Sequence, residues 1–163
     1  LSTADAVARE AEWLAGFDAT DGLPGLLAAY GGPFDVVHAY LPRTPAQRKR
    51  ALYVLRSNLR VERFGFNRKI NHHTFMLRLS WPQTSQTGDA ESVQAAFDTA
   101  VDLVVQRVAG LFLDKTHGAR FMSVAENPAD IAVDFADPEQ STKDRADLTA
   151  VITYVADDQD YTS

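Results

Sequence analysis

The residues with the greatest capacity for chemistry are cations crowded into one window. Arg43, Arg48, Lys49, Arg50, Arg56, Arg60, Arg63, Arg68, Lys69 and Arg78 stand against the single acid Glu62, so ten positive charges and one negative leave +9 between residues 43 and 78. The remainder of the chain holds six cations and 21 acids, a net of -15. From Glu126 onward ten acids face only Lys143 and Arg145. A window this basic meets one of two partners: nucleic-acid phosphates, or the acidic surface of a neighbouring copy. The acidic excess elsewhere favours the neighbour, because a dedicated nucleic-acid binder is usually basic as a whole.

The remaining candidates for chemistry are few. His72 and His73 suggest a metal, but adjacent residues of a strand point to opposite faces and do not share one ion. His117, three residues after Asp114, stands at an expected helix end, where a cation is favoured electrostatically and a capping role outranks a general base. Asp114-Lys115-Thr116 matches the phosphorylated aspartate motif of ion-pumping ATPases for three residues only, since His117 replaces the glycine that should follow. The sequence has no phosphate-binding loop, no G-x-S-x-G elbow and no histidine and carboxylate placed to activate a serine. Asp157 and Asp158 read as part of a solvated tail. No convergent site emerges. The expectation is a protein that is not an enzyme, with no catalytic residue, metal or cofactor.

Length and composition set the frame for these residues. The chain has 163 residues, 45% of them hydrophobic, 16 Lys plus Arg, 22 Asp plus Glu, a net charge of -6 and no cysteine. One core suffices at this length, and residues 1–163 read as a single domain. Without cysteine there is no disulfide framework, thiolate nucleophile or cysteine zinc site. No apolar run approaches the roughly 18 residues of a membrane span, and Leu1 to Glu10 lacks the basic start and apolar stretch of a signal peptide, so a cytosolic origin without membrane contact is expected.

The elements follow from periodicity. A short amphipathic helix is expected from Thr3 to Phe17, with Ser2 as N-cap and Val7, Ala11, Leu14 and Phe17 on one face. Glycines and prolines from Gly22 to Pro33 punctuate a loop, and Phe34 to Leu41 reads as a strand. Ala51 to Trp81 reads as one long hairpin broken at Asn67, Arg68 and Lys69. Tyr53, Leu55, Leu59 and Val61 share a face of its first arm, with Arg56, Asn58, Arg60 and Glu62 opposite. Phe75, Leu77, Leu79 and Trp81 share a face of the second. Arms of about 13 residues reach on the order of 40 Å, about the width of a compact domain of this size, so the tip near Asn67 is expected to project and to lean on another subunit. Closure around Asn67 sets Arg56 opposite Arg78, an arrangement that needs an anion or carboxylate between them. The acids that could supply it are Asp134, Asp137, Glu139, Asp144 and Asp147.

Asp89 to Leu113 carries the strongest helical pattern, with Val93, Phe97, Ala100, Val101, Val104, Val108, Leu111 and Phe112 at spacings of three and four. Three strands follow: Arg120 to Ala125, Ile131 to Ala136, and Leu148 to Ala156, the last apolar on both faces and therefore central. The segment from Asp137 to Asp147 is an acidic loop. The expected fold class is α+β: an antiparallel sheet with a long projecting β-hairpin, one long helix packed on the sheet and a short N-terminal helix.

This layout resembles the tail terminator proteins of long-tailed bacteriophages. The likeness rests on Phe34 to Arg43, Ala51 to Pro82, Asp89 to Leu113 and Leu148 to Asp158. In addition, the stretch Asp114 to Phe121 with Ser123 to Pro128 is similar to minor structural proteins of actinobacterial phages. The resemblance implies a structural virion protein, a homohexameric ring that caps the tail tube, stops its elongation and joins tail to head or neck. Implied partners are other copies of the chain, the tail tube protein, a neck or head-completion protein, and genomic DNA passing through the lumen without specific binding. The implied location is the head-tail interface of the virion, assembled in host cytoplasm. In such a ring the basic hairpin of one copy meets the acidic flank of the next, and most of the arginines face protein, since a transit channel that gripped phosphates would hold the DNA. A neck or head-completion protein is the alternative of the same class, and a DNA-binding module using residues 43–78 the alternative of another.

Overall fold

The computed structural model describes residues 5–16, 25–42, 49–63, 65–82, 90–109, 115–127, 130–135 and 148–161. They form an α+β fold of two helices and a curled mixed sheet. Helix α1 spans Ala6–Ala15 with Asp5 at its N-cap, and Ser2, Thr3 and Phe17 lie outside the described residues. It ends at Gly16, whose φ of 103° is left-handed and lets its N–H return to the carbonyl of Trp13. Val7, Ala11 and Leu14 are buried as their spacing requires, and Glu10 and Trp13 are buried with them.

Strands β1 (Val36–Ala39), β2 (Ala51–Arg63) and β3 (Arg68–Trp81) follow, then helix α2 (Ala90–Ala109) and strands β4 (Ser123–Val124), β5 (Ala132–Phe135) and β6 (Leu148–Tyr161). The sheet order is β1-β2-β3-β6-β4, with β5 also on β6. The sheet is not wholly antiparallel, because β1 pairs parallel with β2. β6 is central, as its two-sided apolar character requires, and it runs five residues past the expected end at Ala156 because β3 offers it partners as far as Arg68↔Tyr161.

β2 and β3 pair antiparallel from Ala51↔Ser80 to Arg63↔Lys69. The register departs from the expected one. The chain turns at Gly65, whose φ of 98° is left-handed, so Arg68 and Lys69 already belong to the strand. A bulge between Arg56 and Asn58 slips the pairing by one more residue. Arg56 therefore lies opposite Phe75, Arg78 lies opposite Tyr53, and the two arginines do not face each other. The same bulge splits the expected apolar face. Tyr53 and Leu55 share a side with Met76 and Arg78, whereas Arg56, Leu59 and Val61 share the other with Phe75, His73 and Asn71.

That second side carries the core. Phe75, Leu77, Leu79 and Trp81 alternate inward and are buried. They share one apolar cluster with Leu52, Val54, Ile152, Tyr154, the buried side chains of α1, and Val93, Phe97, Ala100, Val101, Val104 and Val108 of α2. Trp81 and Phe97 stand 5.9 Å apart between ring centres. Leu111 and Phe112 lie outside the described residues.

Candidate interaction surface

The basic window is divided among several places. Arg43 and Arg48 lie outside the described residues. Lys49 and Arg50 are exposed just before β2, and the Arg50 guanidinium lies 4.6 Å from the centre of the Trp81 ring. Arg56 approaches Nδ1 of His73 at 3.5 Å. Arg68 donates to Oε1 of Gln159 at 2.5 Å. Lys69 stands at the end of the β2 and β3 pairing. Arg60, Arg63 and Arg78 are exposed and form no ion pair among the described residues. Of the expected acidic counter-surface, Asp134 is exposed on β5, and Asp137, Glu139, Asp144 and Asp147 lie outside the described residues.

β2 is paired unevenly along its two margins. On one side β3 accompanies it throughout. On the other, β1 covers only Ala51 to Val54, and the Tyr40 N–H closes that pairing on the carbonyl of Val54 at 2.9 Å. From Leu55 to Arg63 this margin has no strand partner among the described residues. Leu59 and Val61 lie on the core side of the sheet yet are 37% and 53% exposed, because the core ends before reaching them. The ribbon is not two-stranded, however: β6 runs along the whole of β3.

Sequence reasoning missed a polar cluster across those three strands. His72 on β3 lies opposite Arg60 of β2 and Asp157 of β6. Its Nδ1 is 2.5 Å from Oδ1 of Asp157, and its Nε2 is 2.9 Å from Oε2 of Glu62. These side chains adjoin a concavity of about 380 Å³ whose lining includes Glu126 and Asp130. Burial opposes protonation of His72, but hydrogen bonds to Glu62 and Asp157, together with the Asp157 charge, outweigh both burial and the Arg60 charge and raise its pKa. A raised folded-state value stabilises the protein below the unfolded pKa, and that contribution is lost as pH rises through the folded value. The gap in unfolding midpoint between wild type and His72→Gln should accordingly be wider at about pH 5.5 than at about pH 8.5. Thermal melts at both values check the sign, and a gap that widens with pH would contradict this arrangement.

Asp157 and Asp158 do not form a solvated tail. Asp158 is 2% exposed and binds Arg9 of α1 at 2.9 Å. His117 is fully buried, stacked on Trp13 with ring centres 3.6 Å apart. Its Nε2 donates to the carbonyl of Val108 in the last turn of α2 at 2.8 Å, a capping contact, while Nδ1 faces Oε1 of Glu10 at 2.7 Å. The opposite side of this knot is Arg107, 1% exposed, whose guanidinium lies 4.1 Å from the Trp13 ring centre and donates to the Trp13 carbonyl. Both ring nitrogens of His117 are thus engaged inside the core, so its chemistry is spent on joining α1 to α2. Burial first, and then the Glu10 charge, push the Tyr154 phenol well above its ordinary range.

Among the described residues no three His, Cys, Asp or Glu side chains are grouped to hold a metal ion, and no helix is long and apolar enough to cross a membrane. The chain matches no protein-family model and no curated protein.

Proposed function

We propose that this protein is a ring-forming structural component of a long-tailed bacteriophage, a tail terminator that caps the tail tube, halts its growth and joins it to the head or neck. The observation that carries the reading is the margin of β2 from Leu55 to Arg63: apolar and basic, exposed from Arg56 onward, and without a strand partner among the described residues. In this reading β2 and β3 form a projecting hairpin, α2 covers the sheet, and the hairpin meets the acidic flank of the next copy. A contact between two different patches is heterologous and closes into a ring when its rotation permits. The charge asymmetry of the sequence supports it, with +9 in residues 43–78 against -15 elsewhere.

Light scattering and negative-stain imaging of the purified chain, alone and mixed with tail tubes, test this proposal. A six-fold ring, free or seated on tube ends, is the expected result, whereas rings that bind heads and ignore tubes would move the protein to the neck. A monomer that ignores tubes but binds DNA with an affinity falling steeply in salt would overturn the reading in favour of a nucleic-acid module.

A further inference from the structure

The two margins of the sheet match each other. Along β2, Leu59 and Val61 face the core side and Arg60 the outer side, as their partners His73, Asn71 and His72 fix. β5 forms part of the opposite margin, pairing with β6 on one side only among the described residues. There Val133 and Phe135 share the side of Ile152 and Ala150, which are buried in the core, while Asp134 shares the outer side with Val151. Phe135 is 53% exposed. Over Leu59 to Val61 and Val133 to Phe135 the two margins therefore present the same alternation, apolar inward and charged outward, with opposite charges at Arg60 and Asp134; Arg56 and Arg63, which fall on the core side, stand outside it.

We infer that the β2 margin of one copy pairs with the β5 margin of a second copy, so that the two sheets become continuous across the subunit boundary. This rests on the self-association assumed in the proposed function and specifies its contact. In an antiparallel register that sets Arg60 beside Asp134, Leu59 and Val61 fall beside Phe135 and Val133, and each apolar side chain stays on the core side. Charge selects this pairing over its competitors. An exposed edge carrying arginines repels a second edge like itself, the usual way a free strand is kept from indiscriminate pairing. From Glu126 to Phe135 the chain has three acids and no base, so the opposite margin is the one that attracts it. Glu62, the one acid on the β2 margin, is already held by His72. Because the two margins differ, the pairing is head-to-tail and cannot terminate in a two-fold dimer.

The test is a charge exchange read by light scattering over a dilution series. Arg60→Asp and Asp134→Arg should each weaken self-association about fivefold, and the double variant R60D/D134R should recover to within about twofold of wild type. Circular dichroism confirms that each variant is folded. The cysteine-free chain also allows a direct trap: an Arg60→Cys chain mixed with an Asp134→Cys chain should form a disulfide-linked dimer under mild oxidation, whereas Arg78→Cys with Asp134→Cys should not, since Arg78 lies on an interior strand. If wild type self-associates while the double variant is no better than either single one and the first mixture gives no cross-link, the edge contact is wrong and the ring reading stands. A wild type that stays monomeric, together with no cross-link from the Arg60→Cys and Asp134→Cys mixture, also overturns the contact, and tube capping, imaged separately, then decides the function.

Discussion

His117→Ala is expected to lower the free energy of unfolding by about 3–5 kcal/mol, the range for breaking a buried pair from one side. The substitution leaves Glu10 inside the core with its partner gone, when Oε2 of that carboxyl already has no partner among the described residues. It also removes the ring stacked on Trp13 and the donor to the Val108 carbonyl. One proton lies between Nδ1 and Glu10, so the pair acts as a unit and its members are not additive. The double variant Glu10→Met with His117→Phe should therefore cost much less than His117→Ala: Phe keeps a flat ring on Trp13, Met replaces the volume of Glu10, and neither position is left with an orphaned polar group, while Arg107 keeps its bond to the Trp13 carbonyl. Replacing a buried pair by apolar groups of similar size is often neutral or stabilising. Urea denaturation of the three proteins measures both quantities. If His117→Ala falls within about 1 kcal/mol of wild type, the pair is not sealed in the core.

Where a side chain's partner lies nearby in the sequence, or its burial follows a simple period, the structure was readable beforehand. Phe75, Leu77, Leu79 and Trp81 alternate because every second residue of β3 enters the core, and the spacing of Val93, Phe97, Ala100 and Val104 on α2 needs only the helical repeat. Leu59 and Val61 show where that logic stops. The bulge near Ser57 has no glycine or proline to announce it, yet one extra residue moves everything beyond it to the other face. Asp158 was illegible for a different reason: its partner Arg9 is 149 positions away, so a charge that reads as solvated is in fact consumed by the N-terminal helix. The parallel pairing of β1 has the same origin, since a four-residue strand takes its direction from what it packs against. The candidate surface was legible in composition, as a basic window, but not in outline. Which cations are engaged and which stand on an open margin depends on register, and register came from Gly65 and the bulge.

Gly32→Ala should be the most damaging single-methyl change in the described part of the chain, costing about 3 kcal/mol. A Cβ at this position would sit well inside touching distance of the Leu26 carbonyl carbon and oxygen and of the Gly25 carbonyl. All three are backbone atoms, so no side chain can swing aside. They cannot retreat either, because the segment is fastened at both ends: Leu26 N–H bonds the carbonyl of Leu14 at 3.0 Å, Phe34 N–H bonds that of Leu26 at 3.0 Å, and Ala28 N–H bonds that of Phe34 at 2.7 Å. Gly31→Ala provides the contrast. Its Cβ would meet nothing within 4 Å, but its φ of 86° is left-handed, so strain alone should cost roughly 1–2 kcal/mol. The order of the two variants in a denaturant titration is the result to obtain, and Gly31→Ala proving equal or worse would show that the close approach is absent. The consequence reaches the interaction surface. This loop delivers the chain into β1, where Asp35 and Val36 N–H groups bond the carbonyl of Arg50 at 2.8 and 3.1 Å, and β1 is what covers β2 as far as Val54. Displacing it would lengthen the open margin of β2 into Ala51 to Val54, side chains now buried, and the pairing of margins would lose its fixed starting point.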